Sequence, residues 1–92
     1  MLNKFNIAET EYFKEKIQHY QYKTFYNKIY TYVYPQLKNN PFFGHNIKKL
    51  KSEFEKVYRY RIGKIRLFYT IDIEKEIVII IDIEYRKDAY RN

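Results

Sequence analysis

The sequence predicts an α+β domain in which two helices precede a small basic sheet. Three observations carry this reading. Apolar residues between Phe13 and Leu37 recur every three or four positions, the helical repeat. From Val57 onward the repeat falls to two, the strand repeat. The segment 77–83 is then β-branched and apolar except for Asp82, which is the composition of a covered central strand. A chain of 92 residues is one domain, residues 1–92, long enough for one modest core.

The elements follow in order. Phe5 and Ile7 mark a short first strand. Thr10 is a suitable helix N-cap, and Glu11 is favourable in the first turn. Phe13, Ile17 and Tyr20 then fall at helical spacing. The second helix carries Tyr22, Phe25, Tyr26, Ile29, Tyr30, Val33 and Leu37, and Pro35 predicts a kink or stop because it lacks an amide donor. Asn39-Asn40-Pro41 breaks the chain and Gly44 turns it. Residues 47–51 read as a turn or short strand. Tyr58, Tyr60 and Ile62 alternate with Arg59 and Arg61. Beyond Gly63-Lys64, Ile65, Leu67, Tyr69 and Ile71 alternate with Arg66, Phe68 and Thr70. Residues 72–76 are polar enough for a turn, 77–83 form a strand covered on both faces, and 85–92 are a polar tail with one helical turn.

The alternation fixes a register. If Gly63-Lys64 is a two-residue hairpin loop, Ile62 faces Ile65, Tyr60 faces Leu67 and Tyr58 faces Tyr69. That is a continuous apolar ladder. The other face then places Arg61 opposite Arg66, and Arg59 opposite Phe68. Like charges paired across strands destabilise a sheet by a few tenths of a kcal/mol or more, so such a pair calls for an anionic ligand or for carboxylates nearby.

Composition narrows the partner. The chain has 18 Lys and Arg against 11 Asp and Glu, a formal charge of +7, with twelve Tyr, seven Phe and no Trp. A folded, basic, tyrosine-rich domain seeks a polyanion. The absence of cysteine excludes disulfides, thiolate zinc sites and cysteine nucleophiles, and suits a reducing, cytoplasmic setting. Residues 1–10 lack the apolar stretch of a secretory signal. The longest apolar run, 77–81, is five residues, whereas a membrane span needs about 20. No membrane partner is expected. His19 and His45 have no supporting spacing and read as surface residues. With so few ligands, no metal and no cofactor are expected.

The run Val57-Tyr58-Arg59-Tyr60-Arg61-Ile62-Gly63-Lys64-Ile65-Arg66-Leu67-Phe68-Tyr69 resembles the "YRxRxGxYRLxY" core of the RelE/ParE toxin superfamily. The ending Tyr85-Arg86-Lys87-Asp88-Ala89-Tyr90 resembles the family's "HRxxxY" tail. Asn40-Pro41-Phe42-Phe43-Gly44 and Lys48-Lys49-Leu50-Lys51 match the loop and "KLKG" segment that precede the core. The resemblance implies a β-α-α-β-β-β fold, an antiparallel sheet packed against a helical hairpin. It also implies a toxin held inactive by a co-expressed antitoxin. RelE-branch toxins are endoribonucleases that cut mRNA in the ribosomal A site, whereas ParE-branch members poison DNA gyrase.

Metal-free RNA cleavage uses the RNA's own 2′-hydroxyl, and the enzyme must align it, move two protons and stabilise charge on the phosphoryl oxygens. The resemblance assigns Arg59 and Arg61 to phosphate contact and a share in activating the 2′-hydroxyl. Arg66 becomes the transition-state stabiliser, Arg86 serves the phosphate or leaving group, and Tyr90 orients or stacks on the nucleotide. Lys48, Lys49 and Lys51 offer a footing on RNA phosphates, and Tyr85 lies beside the substrate path. Two departures stand out. Tyr85 replaces the histidine usual before the tail arginine, and Ile65 replaces a tyrosine. No general base is identified; Glu53, Glu55 or a lysine of lowered pKa are the candidates. The expected partners are mRNA, the ribosome and a cognate antitoxin with acidic residues and an apolar helix. The alternatives are a ParE-like gyrase inhibitor and an inactive RNA-binding module.

Overall fold

The computed structural model describes residues 4–50 and 56–86. Its sheet has five strands among the described residues: β1 (Asn6–Glu9), β2 (Ile47–Lys49), β3 (Tyr58–Ile62), β4 (Ile65–Asp72) and β5 (Ile77–Tyr85). Their spatial order is β1-β5-β4-β3-β2. The β2–β3, β3–β4 and β4–β5 pairs are antiparallel, and β1 closes the other edge parallel to β5, with Asn6 opposite Ile77. The segment left open between turn and strand is thus β2 over its first three residues.

The β3–β4 hairpin has the register that the alternation predicts, from Tyr58 opposite Tyr69 to Ile62 opposite Ile65. Gly63 has φ +57, and a Cβ there would meet nothing within 4 Å. Glycine is therefore needed for the backbone angle, not for space. A positive φ at the first loop residue is the type II′ pattern, whose twist matches the strands.

Helices cover one face of the sheet. In α1 (Glu11–Lys16), Thr10 Oγ1 accepts from Phe13 N at 3.1 Å, the predicted cap, and Phe13 is buried. Ile17 is buried as well, but Tyr20 is 85% exposed. α1 ends at Lys16, so its phase does not carry through to α2 (Tyr20–Lys23), which buries Tyr22 instead. α3 (Tyr26–Lys28) leads into a π-helical turn, Ile29–Val33, and then α4 (Tyr34–Asn39). Pro35 does not stop this helix. The Tyr34 amide reaches back to the Ile29 carbonyl, five residues away, and Pro35 falls in the first turn of α4. There its missing donor breaks no bond.

Phe13, Ile29, Val33 and Leu37 from the helices meet Tyr60, Leu67, Tyr69, Val78, Ile80 and Ile83 from the sheet in one buried core. A bulge beside Phe68/Tyr69 sets Phe68 opposite Asp82 and Tyr69 opposite Ile80, leaving Ile81 as the extra residue. It lets Ile80 and Ile83, three apart, both face the core. β5 is internal, as predicted; among the described residues the helices pack on the side of Val78, Ile80 and Ile83, which are buried, while Ile77, Ile79 and Ile81 are half-buried.

Two polar ties lock the layers. Tyr26 and Tyr34 hydroxyls each donate to Glu9 Oε2 at 2.7 Å. Burial, and then the bond to Glu9, raises both phenols well above the usual tyrosine range. At the β5 edge beyond Ile80, where β1 no longer pairs, α1 supplies Lys16. Its Nζ lies 2.9 Å from Asp82 Oδ1, 4.0 Å from Glu84 Oε2, and 5.6 Å from the Tyr12 and Tyr22 ring centres. Burial alone would lower the Lys16 pKa, but the Asp82 hydrogen bond and charge, with smaller help from Tyr22 and Tyr12, leave it raised.

Glu9→Ala leaves the buried Tyr34 hydroxyl without its acceptor, at a cost of about 2 kcal/mol. For a domain of this size, thermal melting should show a Tm roughly 8–16 °C lower; an unchanged Tm would show that the clasp does not contribute. The raised phenols also set an alkaline limit. Above pH about 10 the unfolded chain loses tyrosine protons that the folded chain keeps, so stability is full below that pH and declines above it. Urea unfolding at pH 9 to 11 should show this decline, and Tyr34→Phe should make it shallower.

Candidate functional site

The face of the sheet away from the helices is built by strand alternation. One row across β2, β3, β4 and β5 reads Lys48, Arg59, Phe68, Asp82. The next reads Arg61, Arg66, Glu84 across β3, β4 and β5. Arg61 thus stands directly opposite Arg66, as the register predicts. Arg86 follows two residues after Glu84, and its amide donates to the Lys64 carbonyl at 2.7 Å, placing it at the hairpin end of the sheet. Arg59, Arg66 and Arg86 are half-buried, and Arg61 and Lys48 are exposed.

The loop before β2 steadies this face. The Asn46 carbonyl accepts from the Arg61 amide at 2.9 Å and from the Arg59 guanidinium at 3.4 Å. The Nε atoms of Arg66 and Arg86 are both buried, and Arg86 Nε has no hydrogen-bond partner among the described residues. Guanidinium groups stay charged and offer a planar fork of donors, which matches phosphate oxygens. Asp82 and Glu84 share these rows, but Lys16 engages both from the edge.

Strand parity divides the other predicted residues. Lys48 joins the arginines. Lys49 does not: it pairs with Tyr58, and its ammonium sits 5.9 Å from that ring, on the helix side. Tyr85 is likewise turned inward. Its ring stacks on Tyr22 at 5.3 Å and meets Phe25 at 6.0 Å, and its hydroxyl donates to the Gln21 carbonyl. It shares parity with Ile83, so it packs on the helical layer instead of lying on the arginine face. Tyr90, Lys51, Glu53 and Glu55 lie outside the described residues. His19, at the N-cap of α2, and His45, in the loop before β2, are exposed and separate. Among the described residues no three His, Cys, Asp or Glu gather in a metal-binding group, and no helix is long and apolar enough to cross a membrane.

Residues 11–90 match the family model described as the ParE toxin of the type II toxin–antitoxin system parDE. The chain belongs to that toxin family. The candidate toxin RelE1 of Methanocaldococcus jannaschii is 45% identical over 58 residues, a segment covering 61% of this chain and 63% of that relative. The match thus spans less than two thirds of RelE1. The toxin–antitoxin complex RelBE2 of Mycobacterium tuberculosis includes a chain of the same fold, with a TM-score of 0.77 at 21% identity over 94% of this chain and 95% of that one. The heterotetrameric YoeB–YefM toxin–antitoxin complex of Staphylococcus aureus gives a TM-score of 0.66 at 26% identity, over 89% and 97%. The RelE/ParE resemblance and the α+β fold it implies are borne out.

The facing arginines make a stability test for this toxin-family chain. Arg61→Thr removes a like-charge pair and supplies a good strand former, so it should stabilise the fold by a few tenths of a kcal/mol. Urea unfolding would read this gain. A loss of stability would show that the two guanidinium groups are already compensated.

Proposed function

We propose that the arginine face cleaves mRNA by attack of the RNA's own 2′-hydroxyl, at the ribosomal A site. The observation that carries this reading is Arg61 set directly across from Arg66, with Arg59 one pair further along and Arg86 at the same end. Concentrated guanidinium groups on one rigid sheet face oppose folding and favour a phosphodiester. In the reaction the 2′-oxygen bonds to phosphorus and the bond from phosphorus to the 5′-oxygen breaks. The products are a cyclic phosphate and a 5′-hydroxyl. Arg59 and Arg61 would hold the phosphate and assist the 2′-hydroxyl. Arg66 would neutralise charge growing on the phosphoryl oxygens, and Arg86 would serve the departing oxygen. Preorganised charge of this kind is the largest usual contribution to such catalysis. Tyr90 would orient the nucleotide, and Lys48 would supply phosphate footing.

The same cationic face explains the partner we assign, an antitoxin segment with acidic residues and an apolar helix, acting in the cytoplasm. The M. tuberculosis and S. aureus relatives are themselves described as toxin–antitoxin complexes.

A second reading is gyrase poisoning, favoured by the match to the ParE family model. Primer extension on cellular mRNA after induction separates the two. New 5′ ends inside translated codons support cleavage; intact mRNA with DNA-damage signalling supports gyrase. Arg66→Ala should abolish both growth arrest and the new ends while leaving the fold and antitoxin binding intact. Full toxicity in that variant would overturn the site.

A further inference from the structure

We infer that Phe68 is the platform on which one base of single-stranded RNA stacks while the neighbouring arginines hold its phosphates. This rests on the RNA-cleaving reading above and adds a residue that neither the family motif nor the arginine set assigns. Phe68 lies mid-strand on β4, the central strand, and its side chain is on the outward face. Its cross-strand neighbours are Arg59 on one side and Asp82 on the other. It is partly exposed, is not among the partly buried residues that pack on the core, and makes no ring contact with another aromatic among the described residues.

An apolar ring in the middle of a charged row does not have the buried core as its reason. Strand geometry gives it a binding one. Residues directly opposite on paired strands have Cβ atoms about 4.5–5.5 Å apart, and residues two apart on a strand are separated by roughly 6.7 Å. Arg59 and Arg66 therefore flank the Phe68 ring at about the reach that separates a base from the phosphates of its own chain. The bulge beside Phe68 adds local twist, as bulges do where a side chain is re-aimed next to a site. A phenyl face accepts any base, so the platform would position substrate without reading sequence.

The test uses the full-length chain and a 2′-O-methyl single-stranded RNA, which cannot be cut, carrying one 2-aminopurine moved through successive positions. That base loses fluorescence when it stacks. One position should be quenched on binding to the wild type. Phe68→Leu keeps apolar volume and should keep the melting temperature, but the quench should vanish and affinity fall about 5- to 150-fold. Phe68→Trp should restore both. Absence of quenching at every position on bound wild-type protein would overturn the inference, as would wild-type quench and affinity in the Leu variant. In either case cleavage by the wild type would stand unaffected. Failure of the wild type to bind the RNA at all would overturn the RNA reading and this inference together.

Discussion

The hairpin between β3 and β4 governs the molecule. Two residues, Gly63 and Lys64, turn the chain, and the positive φ at Gly63 sets the twist of the strands they join. Because side chains alternate, a slip of one residue would exchange the two faces of a strand. Tyr58, Tyr60 and Ile62 would move out to water, and Arg59 and Arg61 would enter the core. No intermediate arrangement is tolerable, since a buried guanidinium without a partner is far costlier than an exposed tyrosine. Core and site are therefore specified by one turn.

The site works against the fold locally, and other contacts offset that. Arg61 opposite Arg66 is repulsive, and Arg59 and Lys48 extend the cationic surface. Asp82 and Glu84 share those rows, and Lys16 lies against both, fastening α1 over the open edge of β5. One lysine thus holds a layer in place. On the opposite side, the Glu9 clasp with Tyr26 and Tyr34 ties β1 to the helices. Cohesion sits on one face and repulsion on the other.

Much of this was legible in the residues. On either side of the Gly63-Lys64 turn the apolar residues from 58 to 71 alternate, with Phe68 the exception, and pairing, register and the arginine face follow from it. The helical half was legible in its apolar spacing but not in its breaks. Tyr20 lost its phase because α1 ends at Lys16, and Pro35 was absorbed by a π turn that propensity does not reveal. In the site, Lys48 and Lys49 form one basic run in sequence, yet a strand sends them to opposite faces. Tyr85 carries a motif position but the parity of Ile83. Lys16 had no local signal, because its carboxylate partners lie 66 and 68 residues away. Long-range pairing of that kind is what a one-dimensional pattern lacks.

The parallel pairing of β1 with β5 brings Asn6 against Ile77, across most of the chain. Sequence-distant pairing slows folding, because loop-closure entropy is lost before the contacts form. During synthesis, β1 emerges early and has no strand to join until β5 has been made. Arg66 likewise waits for Glu84, and the hairpin end of the arginine face waits for Arg86. In a nascent chain the cationic face is therefore assembled only after β5 and Arg86 have been made.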